Sequence, residues 1–175
     1  LEEFQCEWVD PINVNYKGYD VWEIPPNGHG IVSLMALNIL NDYEFHNRNC
    51  ADTLHKQIEA MKLAFADGQK YVADTNHMSV SIQDLLSKEY AMERRKLICN
   101  EALMPEAGNP SSGGTVYMAT ADEEGNMVSY IQSNYMEFGS GLVVPNTGIA
   151  LHNRGHNFVL DPTHDNALKP GKKPY

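Results

Sequence analysis

Apolar and polar side chains alternate loosely along the stretch KGYDVWEIPP, in which Tyr19, Val21 and Ile24 are separated by polar neighbours. This alternation predicts a strand. The strand should end at Pro25-Pro26, because proline lacks the amide hydrogen that a sheet requires. After the loop 27–30, apolar residues recur at helical spacing along IVSLMALNILNDYEF. The pattern therefore predicts a strand, a loop and a helix.

Two amphipathic helices are predicted to follow this unit. The first covers residues 51–74, with Asp52 as its N-terminal cap, and the second covers residues 79–98. Apolar side chains define one predicted buried face on each helix. These are Leu54, Ile58, Met61, Leu63, Phe65 and Tyr71 on the first helix, and Ile82, Leu85, Leu86, Tyr90 and Leu97 on the second.

A β-hairpin is predicted next, with strands at residues 115–122 and 127–133 joined by the turn 123–126. A further strand is predicted near residues 148–151. The segment NEALMPEAGNPSSGG, which precedes the hairpin, is rich in proline, glycine and serine. That composition is typical of an exposed and mobile segment.

The entrance to this hairpin is unusual, because Gly113 and Gly114 lead directly into Thr115. Flexible residues just before a strand cost backbone entropy on folding, so a simple hairpin has no need of them. A threonine that begins a polypeptide chain can use its own α-amino group as the base that activates its hydroxyl. Cleavage between Gly114 and Thr115 would create that amine. The competing interpretation is an ordinary structural threonine, since threonine favours strands.

The formal net charge of −10 argues against a negatively charged partner such as nucleic acid. Nucleic-acid backbones are bound mainly by clustered lysine and arginine, so no nucleic-acid partner is expected. The basic runs at residues 94–96 and 172–173 are short, and we interpret them as solvated surface.

Cys6, Cys50 and Cys99 are far apart and odd in number, which indicates reduced, partly buried thiols rather than a disulfide framework. A thiol nucleophile stays open as an alternative. The longest apolar stretch, residues 31–40, is shorter than the roughly 20 residues of a membrane span, so no membrane segment is expected within this sequence. Because Leu1 is not an initiator methionine, we expect a piece of a longer protein, whose compartment is undetermined.

Three separated stretches of the chain resemble the γ-glutamyltranspeptidase family of N-terminal nucleophile hydrolases: YKGYDVWEIPPNGHG, EAMKLAFADGQKYVAD and GGTVYMATADEEGNMVSYIQSNYMEFGSGLVVPNTGIALHN. The resemblance implies an α+β protein with a four-layer αββα sandwich, made as a precursor that cuts itself. Residues 1–114 would form the C-terminal part of the large subunit and residues 115–175 the N-terminal part of the small subunit, within one shared domain.

The resemblance also implies roles for individual residues. Thr115 would be the nucleophile, freed by cleavage after Gly114, and Ser133 would supply a supporting hydroxyl. Typical transpeptidases hold the α-amino group of the substrate with an asparagine, a glutamine and an aspartate, and the corresponding positions here are Tyr135, Arg154 and Asn157. No metal or other cofactor is implied. The implied partners are the two subunits and a small-molecule γ-glutamyl or related acyl amide.

The string LHNRGHNF resembles a divergent branch of the family, which includes acylases that open glutaryl-type amides such as those on cephalosporins. Arg154 would repel an ammonium group, whereas its planar guanidinium can bind a carboxylate bidentately. A glutaryl-type acylase is therefore the second interpretation. The family's oxyanion-binding residues would lie outside this sequence, so the segment alone is expected to be inactive or nearly so.

Several other interpretations stay open from the residues. A cluster in the C-terminal part of the chain could bind a metal ion, and it consists of His152, His156, Asp161 and His164. Glu123 and Glu124 could act as a carboxylate pair, although adjacent turn residues usually face solvent. His29 could lie near the site or could simply satisfy hydrogen bonds of its loop. A catalytically silent relative that acts in binding or assembly is the alternative of a different class.

Overall fold

The computed structural model describes residues 5–104 and 115–175, with the backbone alone described for Thr115 and Val116. The described residues form two compact units, one made of residues 5–104 and 159–175 and the other of residues 115–158. Within these residues the α-helices belong to the first unit, and each unit contains an antiparallel hairpin. The observed elements are those of an α+β protein.

The first unit begins with a hairpin of strands β1 (Ile12–Tyr16) and β2 (Tyr19–Glu23). Lys17 and Gly18 join the strands with φ angles of 53° and 89°, as a two-residue hairpin turn requires. Strand β2 confirms the strand predicted before Pro25. Strand β1 is an addition to the prediction, although isoleucine, valine and tyrosine alternate with asparagine along INVNY.

Helix α1 (Gly30–Leu40) confirms the predicted helix and lies at the centre of the first unit. A helix that is apolar nearly all round belongs inside a core. Most of this helix is accordingly buried: Ile31, Val32, Leu34, Met35, Ala36, Ile39 and Leu40. Two core clusters form along it, and both include residues of helix α2 (Ala51–Tyr71).

Helix α2 confirms the first predicted amphipathic helix, but the predicted buried face is largely wrong. The predicted apolar residues Leu54, Ile58, Met61 and Phe65 are 39–57% exposed. The buried face carries smaller and more polar residues, namely Thr53, Glu59, Ala60, Leu63, Ala64, Asp67 and Gly68. Small residues at positions 60, 64 and 68 recur every four residues, so they form one row along which a neighbouring helix can approach closely.

The beginning of α2 also differs from the prediction. Cys50, not Asp52, is the N-cap residue, and Asp52 lies in the first helical turn. There its carboxylate accepts a hydrogen bond from Lys56 Nζ at 2.7 Å. The predicted cap is therefore wrong, although a negative charge in the first turn still interacts favourably with the helix dipole.

The single helix predicted at residues 79–98 is wrong, because two shorter helices occupy this range: α3 (Ile82–Leu85) and α4 (Lys88–Arg95). A serine begins each of them. Ser81 Oγ accepts a hydrogen bond from the Asp84 amide at 3.0 Å, and Ser87 Oγ accepts one from the Tyr90 amide at 3.2 Å. A second cap inside the range starts a new helix, because its side chain satisfies amides that a continuous helix would bond internally.

The two basic runs are only partly solvated, so this prediction is wrong for three of their residues. Arg94 Nε lies 2.8 Å from Asp67 Oδ2, and Asp67 is 6% exposed. Arg95 Nε donates to a main-chain carbonyl of α1 at 2.6 Å. Lys172 is 8% exposed and donates to the carbonyl of Ala167 at 3.1 Å. Long cationic side chains can be buried where a carboxylate or a carbonyl oxygen lies close to the charged group.

Gly68 lies where α2 closely approaches Val32 of α1 and the Tyr175 side chain. A Cβ atom at this position would be 2.6 Å from Tyr175 Oη and 2.7 Å from Val32 Cγ2. We expect Gly68→Ala to lower the free energy of unfolding by about 1–3 kcal/mol, as overpacking does, although alanine is the better helix former. Urea unfolding of the full-length protein measures the effect. Gly155→Ala is the control, because a Cβ there meets nothing within 4 Å; a Gly68→Ala protein of unchanged or raised stability would contradict the prediction.

The second unit begins with the hairpin of strands β3 (Thr115–Ala121) and β4 (Met127–Ser133), which confirms the predicted one. Asp122 stabilises the turn by accepting hydrogen bonds from the amides of Glu124 and Asn126 at 3.0 and 2.9 Å. The hydrogen bond from the Asn126 side chain is the main reason why the pKa of Asp122 lies below its usual value, and the two amide hydrogen bonds lower this pKa further. The predicted mobile segment falls largely on residues 105–114, which lie outside the described residues.

After β4 the chain has little regular structure. The strand predicted near residues 148–151 is wrong as an extended element, because only an isolated bridge joins Val143 to Ala150. A short 3₁₀ helix, η1 (Arg154–Asn157), follows it.

The thiols are free, as expected, but Cys6 and Cys99 are exposed and only Cys50 is partly buried. A hydrogen bond with the Thr53 side chain lowers the pKa of the Cys50 thiol. Of the helices in the described ranges, none is both long enough and apolar enough to cross a bilayer.

Candidate active site

Thr115 and Ser133 lie directly opposite each other, because β3 begins at the residue where β4 ends. Opposed residues in an antiparallel pair have Cα atoms roughly 4.5–5.5 Å apart. The hairpin thus places the backbone of the predicted nucleophile opposite the backbone of the residue predicted to supply the supporting hydroxyl. The predicted cleavage partner, Gly114, lies outside the described residues.

The chain turns sharply just after Ser133. Ser133 Oγ accepts a hydrogen bond from the Tyr135 amide at 3.0 Å. Tyr135 has a φ angle of 76°, which non-glycine residues rarely adopt and which persists only where surrounding contacts hold it. The Ser133 side chain is one such contact, so it links the end of β4 to the direction of the Tyr135 side chain.

The Tyr135 ring is the centre of a polar cluster in this unit. Its hydroxyl donates to Asn157 Oδ1. The Arg154 guanidinium carbon lies 5.5 Å from the ring centroid, which is cation–π distance. The His156 ring lies 6.3 Å from the Tyr135 ring, centroid to centroid, and is tilted by 37°. The structure therefore brings together all three predicted substrate-binding residues, Tyr135, Arg154 and Asn157.

Helix η1 explains how Arg154 and Asn157 both reach Tyr135, since positions three apart in a 3₁₀ helix share one side of it. Two hydrogen bonds attach the beginning of this helix to the end of β4. The Met136 amide donates to Asn153 Oδ1 at 3.0 Å, and the Asn153 amide donates to the Asn134 carbonyl at 3.2 Å.

The electrostatics of this cluster are dominated by Arg154. Its side chain is partly buried, and none of the ion pairs within the described residues includes it. Its main-chain amide donates to His152 Nδ1 at 3.2 Å. A guanidinium packed on an aromatic ring without a carboxylate partner can bind an anion from outside the protein.

The sequence does not predict two members of the cluster. It indicates His156 only as a possible metal ligand, and it gives no role to Asn153, which holds the beginning of η1 to the segment after β4. The signal was present in the compact string NRGHN, because a short turn presents several polar side chains together. Their importance depends on contacts with residues near position 135, which sequence spacing does not reveal.

The alternative sites receive no positive support. Across residues 5–104 and 117–175, no group of three or more histidine, cysteine, aspartate or glutamate side chains could hold a metal ion. Asp161 instead accepts a hydrogen bond from Thr163 Oγ1 at 2.7 Å, which lowers its pKa. Glu123 and Glu124 are exposed in their turn. His29 stacks on Tyr175 within the first unit, at 4.2 Å between ring centroids.

Comparison with known proteins decides the family. The γ-glutamyltranspeptidase family model matches residues 1–175. The chain belongs to the γ-glutamyltranspeptidase family. The resemblance seen in the sequence is thereby confirmed.

Relatives within the γ-glutamyltranspeptidase family have diverse names. The chain is 38% identical to the glutathione hydrolase-like YwrD proenzyme of Bacillus subtilis, over 100% of this chain and 34% of the relative. It is 39% identical to the oxamate amidohydrolase proenzyme of Klebsiella pneumoniae, over 100% of this chain and 33% of the relative. The chain thus spans about a third of the length of these relatives.

A solved protein structure has a similar backbone. The crystal structure of cephalosporin acylase from Bacillus halodurans superposes with a TM-score of 0.86 and 64% sequence identity, covering 99% of this chain and 32% of that one. This likeness agrees with the α+β class that the elements display.

Proposed function

We propose that the full-length protein is an amidohydrolase or acyltransferase of the γ-glutamyltranspeptidase type, with Thr115 as an N-terminal nucleophile after self-cleavage at Gly114–Thr115. The observation that carries the proposal is the position of Thr115, which follows two glycines and opens β3 opposite Ser133. Both named relatives are proenzymes, which supports a precursor that is processed.

Self-cleavage would begin when the Thr115 hydroxyl oxygen attacks the Gly114 carbonyl carbon. The C–N bond breaks and the acyl group moves from nitrogen to oxygen. The nitrogen keeps its own hydrogen and takes up the proton that the hydroxyl loses, so it becomes an amine. Water then hydrolyses the ester, which leaves a carboxylate on Gly114 and a free amine on Thr115. Glycines before the bond favour this step, because they tolerate the unusual dihedral angles that an attack geometry needs.

The freed amine would then act as the base in each catalytic cycle. An α-amino group has a pKa of about 7.7–8.0, so a useful fraction is unprotonated near neutral pH. It accepts the hydroxyl proton as the oxygen attacks the substrate amide, and the leaving amine receives that proton. The acyl ester on Thr115 is finally transferred to water, which is hydrolysis, or to an amine acceptor, which is transpeptidation. Ser133 would support the nucleophile through its hydroxyl.

The proposal includes the architecture of the whole enzyme. Residues 1–114 would end the large subunit and residues 115–175 would begin the small one, within one αββα sandwich that joins both. The exposed apolar side chains on the two faces of the β3–β4 hairpin support further covering layers. These are Tyr117 and Ile131 on one face, 63% and 68% exposed, and Met118 and Tyr130 on the other, 53% and 47% exposed.

Tyr135, Arg154 and Asn157 would bind the acyl part of a small-molecule amide, because they cluster just beyond the residue opposite Thr115. A glutaryl-type acylase is the second candidate within this class. It is favoured by Arg154, whose guanidinium suits a carboxylate, and by the likeness to a cephalosporin acylase. A silent relative acting in binding or assembly would have no need of a hydroxyl after two glycines.

N-terminal sequencing of the mature full-length protein tests the proposal. We expect two polypeptides on a denaturing gel, with the smaller one beginning Thr-Val-Tyr-Met. This result is expected because cleavage must expose the Thr115 amine before it can serve as a base. Detection of a single uncut chain in a protein that hydrolyses its amide substrate at full rate would refute the mechanism.

A further inference from the structure

The proposed cut and the compact units divide the chain at different places. Residues 159–175 belong to the first unit together with residues 5–104, yet cleavage after Gly114 would leave these two ranges on different polypeptides. We call residues 159–175 the return segment, because the chain comes back to the first unit there. Contacts that lie within one folded unit of the precursor would thus become contacts between two subunits.

Hydrogen bonds attach the return segment to residues 5–104 near both of its ends. Asp165 Oδ2 accepts hydrogen bonds from the amide and the hydroxyl of Ser79, at 2.9 and 2.6 Å. The Pro174 carbonyl accepts a hydrogen bond from Asn27 Nδ2 at 2.7 Å. Attachment at two separated points fixes the direction of the segment as well as its position.

A second carboxylate contributes from the other side of this interface. Asp74 is buried, and its Oδ2 atom accepts a hydrogen bond from the Lys173 amide at 3.1 Å. Hydrogen bonds to ionised groups are roughly twice as strong as those between neutral groups. Asp74 and Asp165 therefore provide the strongest polar contacts between the return segment and the rest of the unit.

The Tyr175 side chain extends this attachment into the hydrophobic core. It belongs to the same buried cluster as Val32 of α1 and Ala64 of α2, and its ring stacks on His29. It also passes so close to Gly68 that a Cβ atom there would overlap it. Burial of an aromatic ring usually contributes more than a single hydrogen bond, so Tyr175 is the main apolar anchor.

The return segment has an internal structure that suits it to docking. The buried Lys172 ammonium donates to the main-chain carbonyls of Asp165 and Ala167. The Leu168 amide donates to the Val159 carbonyl at 3.0 Å. A segment that is ordered by its own hydrogen bonds loses less conformational entropy when it docks.

We infer that the return segment holds the small subunit on the large one after self-cleavage, with the Tyr175 side chain docked against α1 and α2. The inference rests on the proposed function, because the cut makes this segment part of a separate polypeptide. Before the cut, residues 105–158 connect the segment to residue 104 and keep its effective concentration high. After the cut that connection is gone, so the segment stays in place through its noncovalent contacts.

Release of the small subunit from immobilised full-length protein tests this inference. The protein is held on a resin through a tag on the large subunit, allowed to cut itself, and washed in moderate urea, and the released subunit is measured on a denaturing gel. We expect Asp165→Ala to release it about 10- to 100-fold faster than the parent, because both hydrogen bonds from Ser79 to a charged acceptor are lost. Tyr175→Ala should accelerate release by about 100- to 1,000-fold.

Matched controls come from the same chain. Asp161 lies in the return segment but bonds to Thr163 within that segment, so Asp161→Ala should release the small subunit at close to the parent rate. Tyr19→Ala removes a tyrosine that is 77% exposed and should behave in the same way. Release at the parent rate from both Asp165→Ala and Tyr175→Ala would overturn the inference.

Uncut protein distinguishes a docking contact from a general contribution to stability. In the Thr115→Ala background, residues 105–158 still connect the return segment to the first unit. A docking contact should therefore lower the urea midpoint of the cut protein more than that of the uncut one, and only the cut protein should become more stable as its concentration rises. Equal losses in both forms would contradict the docking role. If Tyr175→Ala prevents folding, Asp165→Ala and Asn27→Ala decide the same comparison.

A recognition sequence for a site-specific protease, placed within residues 105–114, separates this inference from the proposed function. If the parent never cuts itself, the proposed function fails, and the protease then supplies the cut. Faster release from Asp165→Ala after that cut would still support the docking role. Release that depends on neither Asp165 nor Tyr175 would refute it, whichever way the cut was made.

Discussion

Full-length protein carrying Thr115→Ala is expected to remain a single uncut chain and to lose activity by a factor on the order of 10⁴ to 10⁶, which is typical of removing a covalent nucleophile. The substitution removes the oxygen that would attack the Gly114 carbonyl, so neither the new amine nor the acyl ester can form. A denaturing gel measures the loss of self-cleavage. Release of 4-nitroaniline from a γ-glutamyl or glutaryl 4-nitroanilide measures the loss of amidase activity.

Two variants make the Thr115→Ala result interpretable. Thr115→Ser keeps the hydroxyl and should still be cut and active, though more slowly, because serine lacks the methyl group that restricts the side-chain rotamer. Thr120→Ala removes another hydroxyl from β3, opposite Val128. Positions 115 and 120 alternate to opposite faces of the strand, so Thr120→Ala should be processed normally. If the Thr115→Ala protein were cut or kept most of its activity, the nucleophile would lie elsewhere.

Arg94→Met is expected to lower the free energy of unfolding of the full-length protein by about 3–5 kcal/mol near neutral pH, as breaking a buried ion pair does. Asp67 is 6% exposed and its Oδ2 atom lies 2.8 Å from Arg94 Nε. Burial raises the pKa of Asp67, while Arg94 and Tyr90 counteract that rise. Without Arg94, the buried Asp67 carboxylate loses the positive charge that contributes most to offsetting its desolvation. The midpoint of urea unfolding measures the change.

The pH dependence of the Arg94→Met effect follows from the raised pKa of Asp67. An acid whose pKa is higher in the folded state stabilises folding at low pH, and that contribution is lost as the pH rises through the folded-state pKa. Removing Arg94 raises the pKa of Asp67 further. The stability deficit of the variant should therefore be largest near neutral pH and should shrink as the pH falls toward about 4, where Asp67 is also protonated in the unfolded chain.

Controls separate the buried pair from a general loss of charge. Lys96→Met removes a cation at the C-cap of the same helix, whose partner Glu93 is 66% exposed, and it should change stability little. The double variant Asp67→Asn with Arg94→Met should recover part of the lost stability, because no unpaired charge stays buried. Equal unfolding midpoints for the parent and Arg94→Met would show that the pair contributes nothing.

Several features of this protein were readable without three-dimensional information because they depend on neighbouring residues. The strand before Pro25, the helix after it and the hairpin that begins at Thr115 all follow from local patterns and turn chemistry. The family could also be predicted from the sequence, since the three stretches that resemble it are contiguous runs of residues. Strand β1 and the caps at Ser81 and Ser87 had local signals as well, but a longer apolar pattern at residues 79–98 outweighed the caps.

Other features were decided by contacts between distant residues. On α2, periodicity favoured the face with Leu54 and Phe65, yet the buried face is the one whose small residues allow close approach to the rest of the unit. Arg94 and Lys172 look like surface residues in the sequence, but partners elsewhere in the chain make their burial possible.

By itself, the sequence determined strand β2, helices α1 and α2, the β3–β4 hairpin, the family and the candidate nucleophile, because each depends on a short run of residues. Only the tertiary structure decided which side chains meet at the candidate site. Tyr135 and Asn157 are 22 positions apart, and their contact depends on the hydrogen bonds that tie η1 to the end of β4. Periodicity carries no information about such pairings, since they arise from the path of the loop between the two elements.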